Sequence, residues 1–267
     1  KVVLSGEGAD ELFAGYNEYE EPTVNRLYSM LPMGLRRKIR DMVKDRPHFT
    51  GKTIIMKYGQ SVEERYIGQA HIMSDEQAND ILSSKYKNPV TYRELTKPYY
   101  DKVKNLDDVT KRCYLDMNMW IVDDILLKAD KITMAHSIEL RVPFLDKEVW
   151  NLSTKIPVKY KVNGTTTKYV FREAAQKKIP LDWAKRRKAG FLVPFIHWIK
   201  EEKYCNIVRA QFEKEYVSEF FDREKILALL DEHYAGKKNN GRKIYTIYAF
   251  LVWYDQYFVS FNMPQGA

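Results

Sequence analysis

The sequence has few of the residues that mark several protein classes. Only two of its 267 residues are cysteine, which is too few for a disulfide scaffold and favours a reducing, cytoplasmic setting. We expect Cys113 and Cys205 to be buried structural thiols. The five histidines show no metal-ligand spacing, so no zinc site is predicted. No basic-then-apolar leader opens the chain, and the most apolar late stretch, 244–261, contains Asp255, so we expect a buried helix there and no membrane span.

Apolar residues make up 45% of the chain, which excludes intrinsic disorder, and 267 residues are enough for one large domain or two small ones. Lysine and arginine number 44 against 36 acidic residues, a net charge of +8. That excess fits anionic partners such as phosphates, nucleotides or nucleic acid, and it equally fits a protein that only needs to stay soluble. Because the first residue is not methionine, we expect the chain to be the interior of a longer product.

One short segment near the start has the pattern of a strand followed by a helix. Val2-Val3-Leu4 is β-branched and apolar, residues 5–8 contain two glycines, and residues 9–16 have the pattern of a helix start. This order is the βα unit of an open α/β sheet, whose loops at the strand ends form ligand crevices. No other convincing strand is predicted. Residues 157–162 alternate in polarity but are few, so we expect a loop or a brief strand there.

The rest of the chain is predicted to be helical. Ser61 and Ser74 are each followed three residues later by Glu or Gln, which is the capping-box pattern of a helix start. Asp222 and Gly236 mark the start and the left-handed end of another helix. Apolar residues that share one face of a further predicted helix are Leu115, Met119, Val122, Leu126 and Ala129.

The first candidate site follows the opening strand. Gly6 and Gly8 allow the backbone to approach a ligand closely, and amides at a helix start favour an anion. Glu7 and Asp10 are three residues apart at the helix entry, so their carboxylates can face one crevice, where two adjacent acids suggest a Mg²⁺ ion or proton transfer. The alternative is a tight turn whose acids offset the helix dipole.

Three further charged segments are candidates. Lys168 and Arg172 are one helical turn apart, so both could reach one phosphate group, although a solvated helix face explains them too. The basic run at 185–188 is a surface patch of the kind that also contacts nucleic acid. Between residues 127 and 146, a charged segment leads into a proline-containing turn and is either part of a site or an internal salt-bridge cluster. The members of that cluster would be Asp130, Lys131, Glu139, Arg141 and Asp146.

Four blocks, taken in order, resemble one family. Residues 3–16, VLSGEGADELFAGY, are similar to the Ser-Gly-Glu-Gly-x-Asp-Glu-x-Phe-x-Gly-Tyr block in the synthetase domain of glutamine-dependent asparagine synthetases. Residues 131–146, KITMAHSIELRVPFLD, are similar to that family's Met-Ala-x-Ser-x-Glu-x-Arg-Val-Pro-Phe-Leu-Asp block. The third and fourth blocks follow in the family's order, and they are Lys168-x-x-x-Arg172 and Arg187-Lys188-x-Gly190-Phe191-x-x-Pro194. The resemblance ends near residue 200.

The resemblance implies an α/β fold, namely the C-terminal part of an ATP-pyrophosphatase-type (adenine nucleotide alpha hydrolase-like) domain with an open parallel sheet, mostly helical in this portion. We expect this portion to cover residues 1–261, with a frayed tail at 262–267. Two family features are missing from this sequence, the N-terminal cysteine glutaminase domain and the Ser-Gly-Gly-x-Asp-Ser loop that holds the ATP phosphates. We therefore expect the chain to start on a late strand of the sheet.

The reaction that the resemblance implies is ATP-dependent amidation of aspartate to asparagine. ATP converts the side-chain carboxylate of aspartate to an acyl-adenylate, and ammonia, released from glutamine by the glutaminase domain, then displaces AMP. The implied cofactors are ATP and Mg²⁺, and the implied setting is the cytoplasm, without nucleic acid or membrane. A homodimer is compatible with this reading.

The roles that the resemblance implies follow the chemistry of these two steps. Departing pyrophosphate needs positive charge, and attacking ammonia needs a group that takes its proton. Carried over by position, Glu7 would be the proton acceptor, Asp10 a Mg²⁺ ligand and Lys168 the group that neutralises pyrophosphate. The nucleotide-contacting residues would be Ser5, Gly6 and Arg172. The residues that would brace the pocket are Lys131, Glu139 and Arg141.

Other functions stay open on the sequence alone. A sister amidotransferase or a lactam-forming cyclase would activate a different carboxylate with ATP, and product analysis with free aspartate separates it from an asparagine synthetase. A nucleic-acid-binding module would use the run at 185–188 and would bind with a steep salt dependence. A catalytically silent helical scaffold is the third alternative, against which the intact Glu7, Asp10 and Lys168 argue.

Overall fold

The structure is a computed structural model, and it describes residues 1–20, 27–87, 90–186, 190 and 193–260. The chain forms two compact units. The first comprises Lys1–Ala70 and Tyr92–Ala189, and the second comprises His71–Thr91 and Gly190–Ala267. Both units are mostly helical, and the two strands found in the described residues belong to the first.

The strands are β1 (Val2–Leu4) and β2 (Glu139–Arg141). The described α-helices are α1 (Ala9–Phe13), α2 (Met33–Val43), α3 (Lys52–Tyr58), α4 (Val62–Arg65), α5 (Asp75–Ile81), α6 (Tyr92–Lys102), α7 (Asp108–Asn118), α8 (Leu127–Met134), α9 (Lys147–Lys155), α10 (Val158–Lys161), α11 (Tyr169–Ala175), α12 (Leu181–Lys185), α13 (Phe195–Trp198), α14 (Glu202–Phe212), α15 (Val217–Phe220), α16 (Arg223–Tyr234) and α17 (Gly241–Tyr254). Short 3₁₀ turns cover Asn17–Tyr19 and Pro143–Leu145, and π-helical turns cover Ile121–Leu126 and Asp255–Val259.

The sheet contains a strand that the sequence analysis did not predict. β2 pairs with β1 in parallel, with Val3 opposite Leu140 and with the Ser5 amide donating to the Arg141 carbonyl at 2.9 Å. The expectation of no second strand was wrong because β2 is short and has charged residues at both ends. Its strand conformation comes from pairing with β1, and strand propensity depends on such context more than on residue type.

The helix-start patterns are confirmed. Ser61 and Ser74 form complete capping boxes at the starts of α4 and α5, and the Asp222 carboxylate accepts from an amide in the first turn of α16. Gly236, just past the end of α16, has the predicted left-handed backbone, with φ 70°.

Two local predictions were wrong. Most of residues 157–162 are helical: α10 covers Val158–Lys161, with Pro157 as its N-cap. The residues from Leu115 to Ala129 do not share one face of a single helix, because α7 ends at Asn118 and a π-helical turn precedes α8. Leu115 is buried, whereas Val122 is 53% exposed. The intervening π-helical turn Ile121–Leu126 has more residues per turn than an α-helix and therefore rotates the stripe away from the core.

Each unit has its own hydrophobic core. The buried residues of the first core are Ala14, Tyr19, Val62, Tyr66, Tyr100, Val103, Val109, Cys113, Leu115 and Val162. The buried residues of the second are Ile81, Ile199, Cys205, Val208, Phe212, Val217, Ile226, Leu230, Ile244, Ile247 and Leu251. Both cysteines are free and buried, as predicted. Within the described residues, every helix is too short or too polar to cross a membrane.

A buried carboxylate ties the segment after α1 to α7. Asp116, on α7, is fully buried and accepts hydrogen bonds from the phenols of Tyr19 and Tyr66 and from the Gln69 amide. Burial raises the pKa of Asp116, and the donated hydrogen bonds oppose that rise. The network holds the 3₁₀ turn Asn17–Tyr19 in place. This turn follows α1 and therefore anchors the segment that comes directly after the first candidate site.

Candidate functional site

An ion pair joins the helix after β1 to the residue before α11. The Lys168 amine lies 2.9 Å from Oδ1 of Asp10, and the two side chains are only 17% and 16% exposed. Partial burial strengthens such a pair because water screens it less than it screens a surface pair. The structure therefore brings the predicted metal ligand and the predicted pyrophosphate-neutralising lysine into direct contact.

Two glycines make this close packing possible. Gly8 has φ 88° and precedes α1, and a β-carbon there would overlap the Leu145 side chain from the second motif block. A β-carbon on Gly15 would overlap Asp10 and Lys168. A side chain at either position would have to displace these neighbouring side chains, and at Gly8 it would also be strained by the left-handed backbone.

Lys168 has an unusual backbone for a lysine. Its φ is 52°, in the left-handed region, and its amide donates to the carbonyl of Ala14, which is itself left-handed with φ 55°. Non-glycine residues in this region carry a conformational cost, and such residues cluster at functional sites. The surrounding contacts therefore hold the Lys168 side chain in a defined direction, toward Asp10.

Aromatic rings pack the first three motif blocks together. Phe13 of α1 stacks on Phe171 of α11 with ring centroids 5.3 Å apart. Phe144, in the 3₁₀ turn after β2, meets the same Phe171 edge-on at 5.4 Å. Stacked and edge-to-face aromatic pairs of this kind stabilise contacts beyond simple burial. The second and third blocks, which lie more than one hundred residues after the first block, thus pack together with it through Phe171.

The start of the first block has open space beside its backbone. Glu7 is half-buried in the turn between β1 and α1. Gly6 is exposed, and a β-carbon built there would meet no atom within 4 Å. Packing in the described part of the chain therefore does not require glycine at this position, and the space is compatible with the close approach of a ligand to Ser5 and Gly6.

Arg172 is held differently from Lys168. Its guanidinium donates to the carbonyls of Thr167 at 2.8 Å, Ala184 at 3.3 Å and Arg186 at 2.6 Å. These bonds join α11 to the end of α12. Arg172 also lines a cavity of about 630 Å³. Its predicted contact with the nucleotide stays a prediction, and the carbonyl contacts give it a structural role as well.

The predicted bracing residues lie on and near β2. Arg141 Nε lies 3.2 Å from Oε1 of Glu139, and both side chains are largely exposed. Lys131, near the end of α8, is also exposed. Asp146 caps α9 by accepting from the Glu148 amide at 2.8 Å. Glu139 and Arg141 therefore form an ion pair, as the salt-bridge alternative predicts, whereas Asp146 caps a helix.

A buried acid that the sequence analysis missed lies next to Asp10. Glu11 is 2% exposed and accepts a hydrogen bond from the Tyr16 phenol at 2.5 Å, and the Trp120 indole donates to the same phenol oxygen at 3.1 Å. Burial raises the pKa of Glu11 to about 7. The available signal was its place in the Asp-Glu pair of the first block, where only Asp10 was given a role.

Comparison with known proteins identifies the family. The family model described as asparagine synthase matches residues 1–255. The chain belongs to the asparagine synthase family. It is 39% identical over 266 residues to asparagine synthetase [glutamine-hydrolyzing] 1 of Bacillus subtilis, covering 99% of this chain and 42% of that protein. A putative asparagine synthetase of Mycobacterium tuberculosis is 37% identical over the same length, covering 99% and 41%.

An amidase of Penicillium rubens, chyE, is 25% identical over 225 residues, covering 74% of this chain and 33% of the amidase. The chain spans about two fifths of the length of the asparagine synthetases above, 42% and 41%. No solved structure matches the chain.

Part of the fourth family block falls outside the described residues. Lys185 is exposed at the end of α12, whereas Arg187, Lys188 and Phe191 lie outside the described residues, as does the predicted tail at 262–267. The expected basic surface patch is therefore described only at Lys185 and its neighbour Arg186, both of which are exposed.

The site offers a divalent cation few protein ligands. Among the described residues, no group of three or more His, Cys, Asp or Glu side chains is arranged to hold a metal. Mg²⁺ does not need such a group, because it commonly binds through one or two carboxylates and keeps water and substrate phosphates as its other ligands. Asp10 supplies a hard carboxylate of this kind, although its Oδ1 is buried against Lys168 and its side chain is only 16% exposed.

Proposed function

We propose that this chain is the C-terminal part of the synthetase domain of a glutamine-hydrolysing asparagine synthetase. The domain would be of the ATP-pyrophosphatase type, with β1 and β2 as part of its open parallel sheet. The observation that carries the proposal is the Asp10–Lys168 contact, 2.9 Å between motif blocks that lie far apart in the sequence. The free thiols are compatible with a cytoplasmic enzyme.

The first step would form β-aspartyl-adenylate. A carboxylate oxygen of aspartate attacks the α-phosphorus of ATP, and the bond to the β-phosphate oxygen breaks as pyrophosphate leaves. Ser5 and Gly6 would contact the nucleotide, and the open space beside Gly6 supports this assignment. Lys168 would offset the charge that develops on pyrophosphate, which is worth most in a site shielded from water.

Asp10 would hold Mg²⁺. When bound, this ion supplies further neutralisation of phosphate charge. Because Asp10 pairs with Lys168, the carboxylate also orients the lysine amine in the structure as it stands. A single carboxylate would thus serve both the ion and the lysine, which keeps both positive charges beside the same phosphates.

The second step would form the amide. Ammonia attacks the acyl carbon, the bond to AMP breaks, and the proton lost from nitrogen moves to the Glu7 carboxylate. The ammonia would come from a glutaminase domain in the longer protein. The relatives above are named as glutamine-hydrolysing, and they are more than twice as long as this chain, which supports such a partner.

A second candidate is a sister amidotransferase that activates another carboxylate. The similarity to a relative that is named an amidase, chyE, 25% identical over 225 residues, supports keeping a reaction other than asparagine synthesis open. Both candidates use one adenylation site, and they differ in the acceptor acid.

ATP–pyrophosphate exchange in the longer protein tests both candidates. We expect exchange to require aspartate and to fall by about a hundredfold or more in Lys168→Ala, the scale of losing one charge-stabilising group. Lys155→Ala, at the exposed end of α9, is the matched control and should exchange normally. Exchange supported only by another carboxylate would favour the second candidate, and no exchange with any acid would overturn the proposal.

A further inference from the structure

The turn that follows α1 needs support from outside the helix. α1 has only five residues, too few to be stable alone, and it ends in the left-handed Ala14. The amides of Ala14 and Gly15 both donate to the carbonyl of Asp10. This turn places Gly15 in contact with the Asp10–Lys168 pair, so close that a β-carbon on Gly15 would overlap both side chains. A small shift of the turn would therefore change the geometry of the pair.

A chain of hydrogen bonds crosses the base of this turn. The Tyr16 phenol reaches back five residues to the Glu11 carboxylate, and the Trp120 indole fixes the phenol from the other side. Glu11 is 2% exposed, so water does not compete strongly for its bond to the phenol. Trp120 lies directly before a π-helical turn, and such turns are frequent at functional sites.

We infer that Tyr16 is a positioning residue: its phenol, held between Glu11 and Trp120, locks the Ala14–Gly15 turn and so keeps the Lys168 amine on Asp10. The inference rests on the proposed function for its relevance to adenylation, because it concerns the same ion pair. In this inference, Glu11 accepts the hydrogen bond of the Tyr16 phenol and does not contact the substrate. Its test is a property of the longer protein without substrates and needs neither ATP nor aspartate.

Amine labelling of the longer protein that contains this chain tests the inference. An acetylating reagent in limiting amount, with peptide mass spectrometry, gives the labelling rate of Lys168 relative to the exposed Lys155. Loss of one buried hydrogen bond should favour local opening, so Tyr16→Phe should raise the relative rate about three- to tenfold. Glu11→Ala should do the same. Glu11→Gln retains an acceptor oxygen and should restore slow labelling.

Tyr100→Phe is the matched control. It also removes one buried phenol hydrogen bond, to the Tyr66 carbonyl at 2.7 Å, but it does not touch the turn. It should lower the melting temperature without changing Lys168 labelling. If Tyr16→Phe labels Lys168 at the wild-type rate, or if Tyr100→Phe accelerates labelling equally, the inference is overturned.

Trp120→Phe keeps the test decisive if Tyr16→Phe does not fold. It removes the indole donor to the phenol together with part of the ring, keeps an aromatic side chain at this position, and should still accelerate Lys168 labelling, by a smaller factor. Unchanged labelling in that variant would then refute the inference. A failure of aspartate-dependent exchange would instead count against the proposed function and leave this labelling result standing.

Discussion

Gly15 has no room for a β-carbon beside Lys168. The methyl group of alanine would overlap Cε of Lys168 and Oδ1 of Asp10, which form the ion pair. Gly15→Ala should therefore separate the pair and destabilise the first unit by about 1–3 kcal/mol, the usual cost of overpacking. Aspartate-dependent pyrophosphate exchange in the longer protein should fall at least tenfold, because the charge that faces pyrophosphate is displaced.

Gly34→Ala is the control for that substitution. Gly34 lies in α2, and a β-carbon there meets no atom within 4 Å. Alanine should raise stability slightly, since it favours a helix over glycine by up to about 1 kcal/mol. Equal exchange and stability in the two variants would mean that the Gly15 contact has no consequence.

Glu7→Gln should separate the two chemical steps. Removing a general base typically costs about a hundredfold or more, so amide formation should fall by that amount while aspartate-dependent pyrophosphate exchange is largely kept. Both rates are measured on the longer protein. Glu148→Gln, on the exposed surface of α9, should leave both rates unchanged. If exchange falls as far as asparagine output, Glu7 acts in adenylation and the base assignment is wrong.

This chain alone should bind Mg-ATP weakly or not at all. It contains Lys168 and Asp10 but no Ser-Gly-Gly-x-Asp-Ser run, so half of the expected phosphate cradle is missing. Isothermal titration with Mg-ATP should give no measurable heat of binding, whereas the longer protein should bind. Micromolar affinity of the 267-residue chain would contradict the prediction.

The sequence is enough to place Asp10 and Lys168 in one site, because each residue belongs to a recognisable family block. Conversely, β2 could not be predicted, since Glu139 and Arg141 have no strand propensity and only pairing with β1 extends them. The helical face at Leu115 is another example. The spacing of its apolar residues predicts the helical face correctly as far as the π-helical turn. That turn changes the number of residues per turn, and residue types give no clear signature of it.

Arg172 shows a second limit of sequence reading. Its spacing from Lys168 suggested that both cations face one phosphate, but its guanidinium bonds to three backbone carbonyls. Backbone acceptors exist at every residue, so residue types cannot reveal which of them an arginine will reach. Glu11 was missed for a related reason: in the sequence, an acid beside Asp10 is one more charge, and only its burial and the Tyr16 phenol distinguish it.

The burial of Glu11 predicts how stability depends on pH. Its pKa rises from 4.5 to about 7 in the folded chain, so between these values the native state keeps a proton that the unfolded state has lost. Stability from this group should therefore fall as pH rises through that window, by about 3 kcal/mol in total. Glu11→Gln cannot ionise and should lack this component. Urea unfolding at pH 5 and pH 8 gives the free energies of unfolding of wild type and variant. If the free energy of wild type minus that of the variant is the same at both pH values, the prediction is refuted.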